Sequence, residues 1–243
     1  MKVLLTRPLA QVKELKSLMI ESTHQPLLFP TLEIQPIDAI VKTDQYDAVI
    51  FISANAVEHG LEVLKKIEYL NIFAVGAATA KKLNDNHIMV DDFPKEKASS
   101  ESLLNLKSVS CLKGKNILIF RGKGGRETLR IGLEKNNNKI EYAQVYARVV
   151  CSLTELHQQS LKVFLSDKQG FISITSNENL DGLRVLATQL NRFDNLKQYP
   201  MIVLSERIQE YAQSFGFKRI IVTPDISDQA IVSVLGQDNT LDN

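Results

Sequence analysis

Short apolar runs alternate with stretches of helical spacing along the chain, and the alternation occurs twice. The first half carries Val3–Leu5, Leu27–Ile37, Ala48–Ile52, Ile72–Val75 and Ile88–Val90; the second carries Ile117–Phe120, Ile140–Val150, Phe171–Ile174, Met201–Leu204 and Ile220–Val222. Between most of them lie apolar residues at helical spacing, such as Leu183, Leu186, Ala187 and Leu190. Alternating strand and helix predicts parallel sheets with helices on their faces. The halves also match in detail, VIFISANAVEHGLEVL with FISITSNENLDGLRVL and VLLTRPLAQVKEL with ILIFRGKGGRETL, so the chain reads as a duplicated α/β unit.

One run in each half is different. Leu32, Ile34 and Pro36 alternate with Thr31, Glu33 and Gln35, and Ala143, Val145, Ala147 and Val149 alternate with Tyr142, Gln144, Tyr146 and Arg148. Such strands have one wet face, and at ~3.3 Å per residue eleven residues reach ~36 Å, roughly twice what a sheet needs. The surplus either crosses between domains or marks an edge strand with a polar outer face.

Composition narrows the function. A chain of 243 residues fits two domains of about 120 residues better than one. With 29 Lys+Arg against 28 Asp+Glu there is no basic field for nucleic acid. Cys111 and Cys151 stand without metal-ligand spacing, so neither a disulfide framework nor a metal site is expected. The amino terminus lacks the apolar stretch of a signal peptide, and no later run spans a membrane, so a cytoplasmic protein is expected.

In open α/β sheets ligands lie beyond the carboxyl ends of the strands. The segments there are Thr6-Arg7-Pro8, Ser53-Ala54-Asn55, Gly76 to Thr79, Arg121-Gly122 to Arg126, Thr175-Ser176-Asn177 and Ser205-Glu206-Arg207. Any one of them is explained by helix capping. Together, with three carrying arginine, they suggest a ligand bearing several anionic groups, held by helix amides and guanidinium forks. Nucleotide chemistry fits poorly: Gly122-Lys123-Gly124-Gly125 is neither a phosphate loop nor a dinucleotide fingerprint. The histidines His24, His59, His87 and His157 are scattered and read as surface or hydrogen-bonded residues. No nucleophile, zinc or paired-carboxylate signature occurs.

The ordered set of TRP, FISANAV, AVGAATAKKL, RGKGGRETL and QVYARV resembles the uroporphyrinogen-III synthase family over nearly the full length. The resemblance implies two flavodoxin-like parallel-sheet domains with swapped halves, joined by a two-stranded antiparallel β-ladder. One domain would hold residues 1–36 and 152–243, the other 37–151, with a cleft between them lined by amides and hydroxyls. It implies cyclisation of hydroxymethylbilane, a linear polycarboxylate tetrapyrrole, to uroporphyrinogen III through a spirocyclic intermediate, with loss of water and without a cofactor.

Carried over residue by residue, the family pattern makes Tyr146 and Thr79 the catalytic candidates. Tyr146 shares a strand face with Gln144 and Arg148, so its ring need not belong to the core; the alternatives are a packed, hydrogen-bonded Tyr146 and a capping Thr79. The substrate-binding candidates are Arg7, Ser53, Ala54, Asn55, Gly76, Arg121, Gly122, Arg126, Thr175, Ser176, Asn177 and Ser205. Ser205-Glu206-Arg207 departs from the hydroxyl-bearing segment of relatives. A monomer is expected. The competing reading is a non-catalytic two-domain protein that binds a polyanionic small molecule.

Overall fold

Residues 1–166 and 169–237 are described by a computed structural model. They fall into two units, one formed by Met1–Glu33 and the chain from Val149 onward, the other by Ile34–Arg148. Each unit has one five-stranded sheet, and helices cover both faces.

In the first unit the strands are β1 (Lys2–Leu5), β2 (Gln25–Leu28), β8 (Gly170–Ile174), β9 (Met201–Val203) and β10 (Ile220–Val222), in the order β10-β9-β8-β1-β2. All neighbours are parallel. The helices are α1 (Lys13–Glu21), α7 (Glu155–Phe164), α8 (Asn177–Gln189), α9 (Phe193–Leu196), α10 (Glu206–Ser214) and α11 (Asp228–Gln237). Successive strand residues face opposite ways, so Leu4 and Ile172 join one core with Phe29, Phe164 and Leu183. Val3 and Phe171 join a second core with Leu15, Met19 and Ile231.

The second unit holds β3 (Leu32–Pro36), which begins at the last residues of the first unit, with β4 (Gln45–Phe51), β5 (Glu68–Ala74), β6 (Asn116–Gly122) and β7 (Lys139–Val150). Their order is β3-β7-β6-β4-β5. Its helices are α2 (Ala54–Leu64), α3 (Ala77–Asp85), α4 (Ser100–Leu104), α5 (Lys107–Ser110) and α6 (Thr128–Glu134). Phe51 stacks on Phe120 with centroids 4.2 Å apart, both fully buried. Burying rings of this size stabilises a fold by about 2 to 3 kcal/mol each.

The alternation of strand and helix yields parallel α/β sheets as expected, with three corrections. The run Leu27–Ile37 is not one strand. It breaks at Phe29-Pro30-Thr31, because Pro30 has no N–H to give a ladder; Phe29 N and Thr31 N still bond to Leu5 O and Thr6 O, at 2.8 and 3.0 Å. Ile88–Val90 is not a strand either. His87 turns the backbone left-handed (φ 61°), and pairing beside β5 shrinks to a single parallel bridge, Phe73 to Asp92.

The third correction concerns register. The sequence match pairs Ser53 with Thr175, yet the capping residues are Ser53 and Ser176, each two positions beyond its strand. The internal match is therefore offset by one residue at this turn. Among the described residues no helix is long and apolar enough to cross a membrane.

Candidate functional site

A sheet whose order doubles back has a switch point, where adjacent strands send their connections to opposite faces and leave a crevice at their carboxyl ends. In the second unit this point lies between β4 and β6, so the Ser53 and Arg121 loops are neighbours. In the first it lies between β1 and β8, which brings the Arg7 and Thr175 loops together.

Ser53 caps α2: its Oγ accepts the Ala56 N–H at 3.0 Å. The same oxygen lies 3.1 Å from the Tyr146 hydroxyl. Ala54 and Asn55, half-buried, form the first turn of α2. Tyr146 reaches Ser53 through an irregularity in β7. Arg121 pairs with Gln144 but Gly122 pairs with Tyr146, so Val145 is an extra residue and the alternation of faces is broken. Tyr146 is consequently only 4% exposed and belongs to the core with Val57 and Val145. The expectation that its ring need not be a core residue is corrected by this bulge.

Gly122 exists for the same contact. A Cβ there would stand 2.7 Å from the Tyr146 ring, and the adjoining Lys123 N donates to Tyr146 O at 2.7 Å. His59 on α2 is a neighbour missed by the sequence reading, its ring centroid 6.1 Å from that of Tyr146.

Arg121 is buried. One amino group donates to Glu127 Oε1 at 2.9 Å, the other to Gly124 O, and the guanidinium carbon sits 4.4 Å from the centre of the Tyr142 ring. Arg126, with its side chain 78% exposed, is open to a ligand; its nearest acid is Glu101 at 3.9 Å.

Gly76 precedes α3, and a side chain there would collide with Ala98. Among the described residues no side chain caps α3, so its first amides are donors available to a ligand. Thr79 is buried in that first turn.

The first unit's candidates are more heavily committed. Arg7 is paired with Asp228 of α11. Thr175 Oγ1 donates to Asn179 Oδ1 at 2.6 Å, and Ser176 caps α8 by accepting the Asn179 N–H at 3.1 Å. Asn177 opens α8 with a buried Oδ1 that has no hydrogen-bond partner among the described residues. Ser205 stands before α10 and makes no side-chain cap bond among the described residues.

Helix charge separates the two sets. In the first unit α1, α8, α10 and α11 each carry an acid in the first turn, namely Glu14, Glu178, Glu206 and Asp228. In the second, α2 and α3 carry none, whereas Glu127 stands at the N-cap of α6 and α4 carries Glu101. An acid at a helix start satisfies the positive end of its dipole and repels an anionic ligand. The receptive helix ends are therefore those of α2 and α3 in the second unit. Among the described residues no group of three or more His, Cys, Asp or Glu could hold a metal ion.

A cavity of 740 Å³ opens among Leu161, Lys162, Leu190, Arg192 and Tyr199. It lies beside the residues that lead into β9, at the amino end of that strand, and so away from the switch point.

The family described as uroporphyrinogen-III synthase HemD matches residues 13–233. The chain is 26% identical to the uroporphyrinogen-III synthase of Escherichia coli (strain K12), across 97% of this chain and the whole of that one. To the enzyme of the same name from Salmonella typhimurium it is 27% identical over the same shares. Its fold is similar to the crystal structure of uroporphyrinogen-III synthetase from Helicobacter pylori 26695, with a TM-score of 0.67, 20% identity and coverage of 97% and 98% of the two chains.

Proposed function

This chain belongs to the uroporphyrinogen-III synthase family, and from that premise we propose that it closes hydroxymethylbilane to uroporphyrinogen III, with the ring-closing chemistry at the second unit's switch point. The terminal hydroxymethyl C–O bond breaks as the adjoining pyrrole pushes its electrons out, and the oxygen leaves as water. The resulting azafulvene is attacked by the substituted carbon of ring D. The spirocyclic intermediate then rearranges, and the macrocycle closes with that ring reversed.

The substrate's pyrroles supply most of the reactivity, so the protein's task is to hold the chain ends and to give the departing oxygen a proton. Tyr146 is the proton donor. The observation that carries this assignment is its hydrogen bond to Ser53 at the switch point. Ser53 Oγ already accepts the Ala56 N–H, so its own hydrogen can be given to the phenol oxygen, leaving the phenolic hydrogen for the substrate. The free amides of α3, with Arg126, take substrate carboxylates. Thr79, in the first turn of α3, is the second hydroxyl of this set.

We take the enzyme to need no cofactor and to act as a cytoplasmic monomer. We also take the two halves to be exchanged between units, with β3 and β7 forming an antiparallel ladder. The bonds Ile37 N to Val145 O and Cys151 N to Thr31 O support this, since the residue numbers rise on one strand as they fall on the other.

Incubation of the purified protein with hydroxymethylbilane, followed by separation of the isomers, tests the function. Spontaneous closure gives isomer I, so uroporphyrinogen III is the expected product. Isomer I alone would sink the assignment and favour a non-catalytic binding protein.

A further inference from the structure

Glu127 immediately precedes α6, and its two oxygens bind two different partners. Oε1 takes the Arg121 guanidinium at 2.9 Å and Oε2 takes the Tyr142 hydroxyl at 2.6 Å. Arg121 in turn lies over the Tyr142 ring, so the three side chains close on one another. The loop between them is wrapped around the guanidinium. Gly124 and Gly125 adopt left-handed conformations (φ 78° and 98°), Gly124 offers its carbonyl to Arg121, and a Cβ on Gly125 would come within 2.8 Å of the same guanidinium. A buried arginine thus forms the inside of the loop, and Glu127 is the carboxylate paired with it.

The loop so fixed is the one that touches Tyr146. Gly122 lies against the phenol ring and Lys123 N bonds to Tyr146 O. Both follow Arg121 directly in the chain. If the guanidinium turned outward, both contacts would shift. We propose that Glu127 is a positioning residue: by holding Arg121 inward it sets the loop that places the Tyr146 phenol. The proposal rests on the role given to Tyr146 above.

The test combines kinetics with the tyrosine ring signals of protein labelled with 13C-tyrosine, in which Tyr146 is identified by its absence from Tyr146→Phe. Glu127→Ala should move the Tyr146 signal as well as that of Tyr142. It should lower kcat about tenfold while KM stays within about twofold. Glu127→Gln, which keeps an oxygen for Arg121 and folds with the same shape, should recover most of both. Glu134→Ala, which removes the exposed partner of Arg130 on α6, should change neither. A Glu127→Ala protein whose Tyr146 signal is unmoved, or whose kcat equals the parent's, overturns the proposal. If the parent itself forms no isomer III, the functional assignment fails, and the Tyr146 signal still decides whether Glu127 positions that ring.

Discussion

At the scale of single residues, the arginines divide by what already holds them. Arg7 is half-buried against Asp228 and Arg121 is buried beside Glu127, whereas Arg126 is exposed. Removing Arg7 leaves the largely buried Asp228 without its partner, and removing Arg121 empties a buried site and loses its charge-assisted hydrogen bonds, although Glu127 itself is exposed. Arg7→Ala and Arg121→Ala should therefore lower stability in urea unfolding by about 1 to 3 kcal/mol, while Arg126→Ala leaves it within about 0.5 kcal/mol and raises KM. Equal stability in all three would refute the division. Sequence alone could not give it, because Asp228 lies 221 positions from Arg7 and nothing local links them. Tyr146 was legible as a residue but not in its setting, since the bulge that buries it is a backbone register shift no alternation reveals. Its phenol should act on the departing oxygen alone, so Tyr146→Phe should cut kcat roughly tenfold to a hundredfold with little change in KM. An undiminished kcat in a folded variant would remove it from the mechanism. Glu127 titrates below the usual carboxylate range, first because Tyr142 donates to it and then because of Arg121. A carboxyl lowered on folding stabilises above its ordinary value of 4.5 and ceases to do so as pH falls through its folded value. Parent protein should therefore lose more thermal stability than Glu127→Gln between about pH 5 and pH 3. Parallel losses would count against the clamp.

At the scale of elements, the strands that could be read were those whose apolar run coincides with a fully buried parallel strand, such as β4, β6 and β8. Those misread had a conflicting signal beside the run. Pro30 cuts Leu27–Ile37, and Ile88 and Val90 are half-buried because they pack on the core as coil, not because they pair. The internal match likewise sets Gly60 opposite Gly182, residues with different duties. Gly60 lies against the Phe120 ring, but Gly182 in α8 lies against the Thr31 backbone, where a Cβ would stand 2.7 Å from the carbonyl oxygen. A glycine in mid-helix ordinarily costs about 1 kcal/mol relative to alanine. Here the sign reverses, because the obstacle is main chain held by its own hydrogen bonds to Thr6 and Cys151. Gly182→Ala should destabilise by about 1 to 3 kcal/mol. A gain in stability would show that the segment at Thr31 yields easily.

At the scale of the molecule, each unit has, among the described residues, its own pair of cores, one on each face of its sheet. The chain passes from one unit to the other only between residues 33 and 34 and between 148 and 149. Cooperative unfolding follows shared burial, so two separate sets of cores predict two units that open independently. Phe120→Ala is the decisive variant, since Phe120 is fully buried and stacked on Phe51. Emptying such a site costs about 3 to 5 kcal/mol, a large part of the stability of a single domain. In hydrogen exchange, the amides of β4, β5 and β6 should then lose protection about a hundredfold or more, since 1.4 kcal/mol is a factor of ten. Those of β1, β8 and β9 should exchange at the parent's rate. Equal loss in both sets would mean that the units share one transition. In that case a substitution anywhere in the chain would loosen the Ser53 and Tyr146 pair as readily as one beside it.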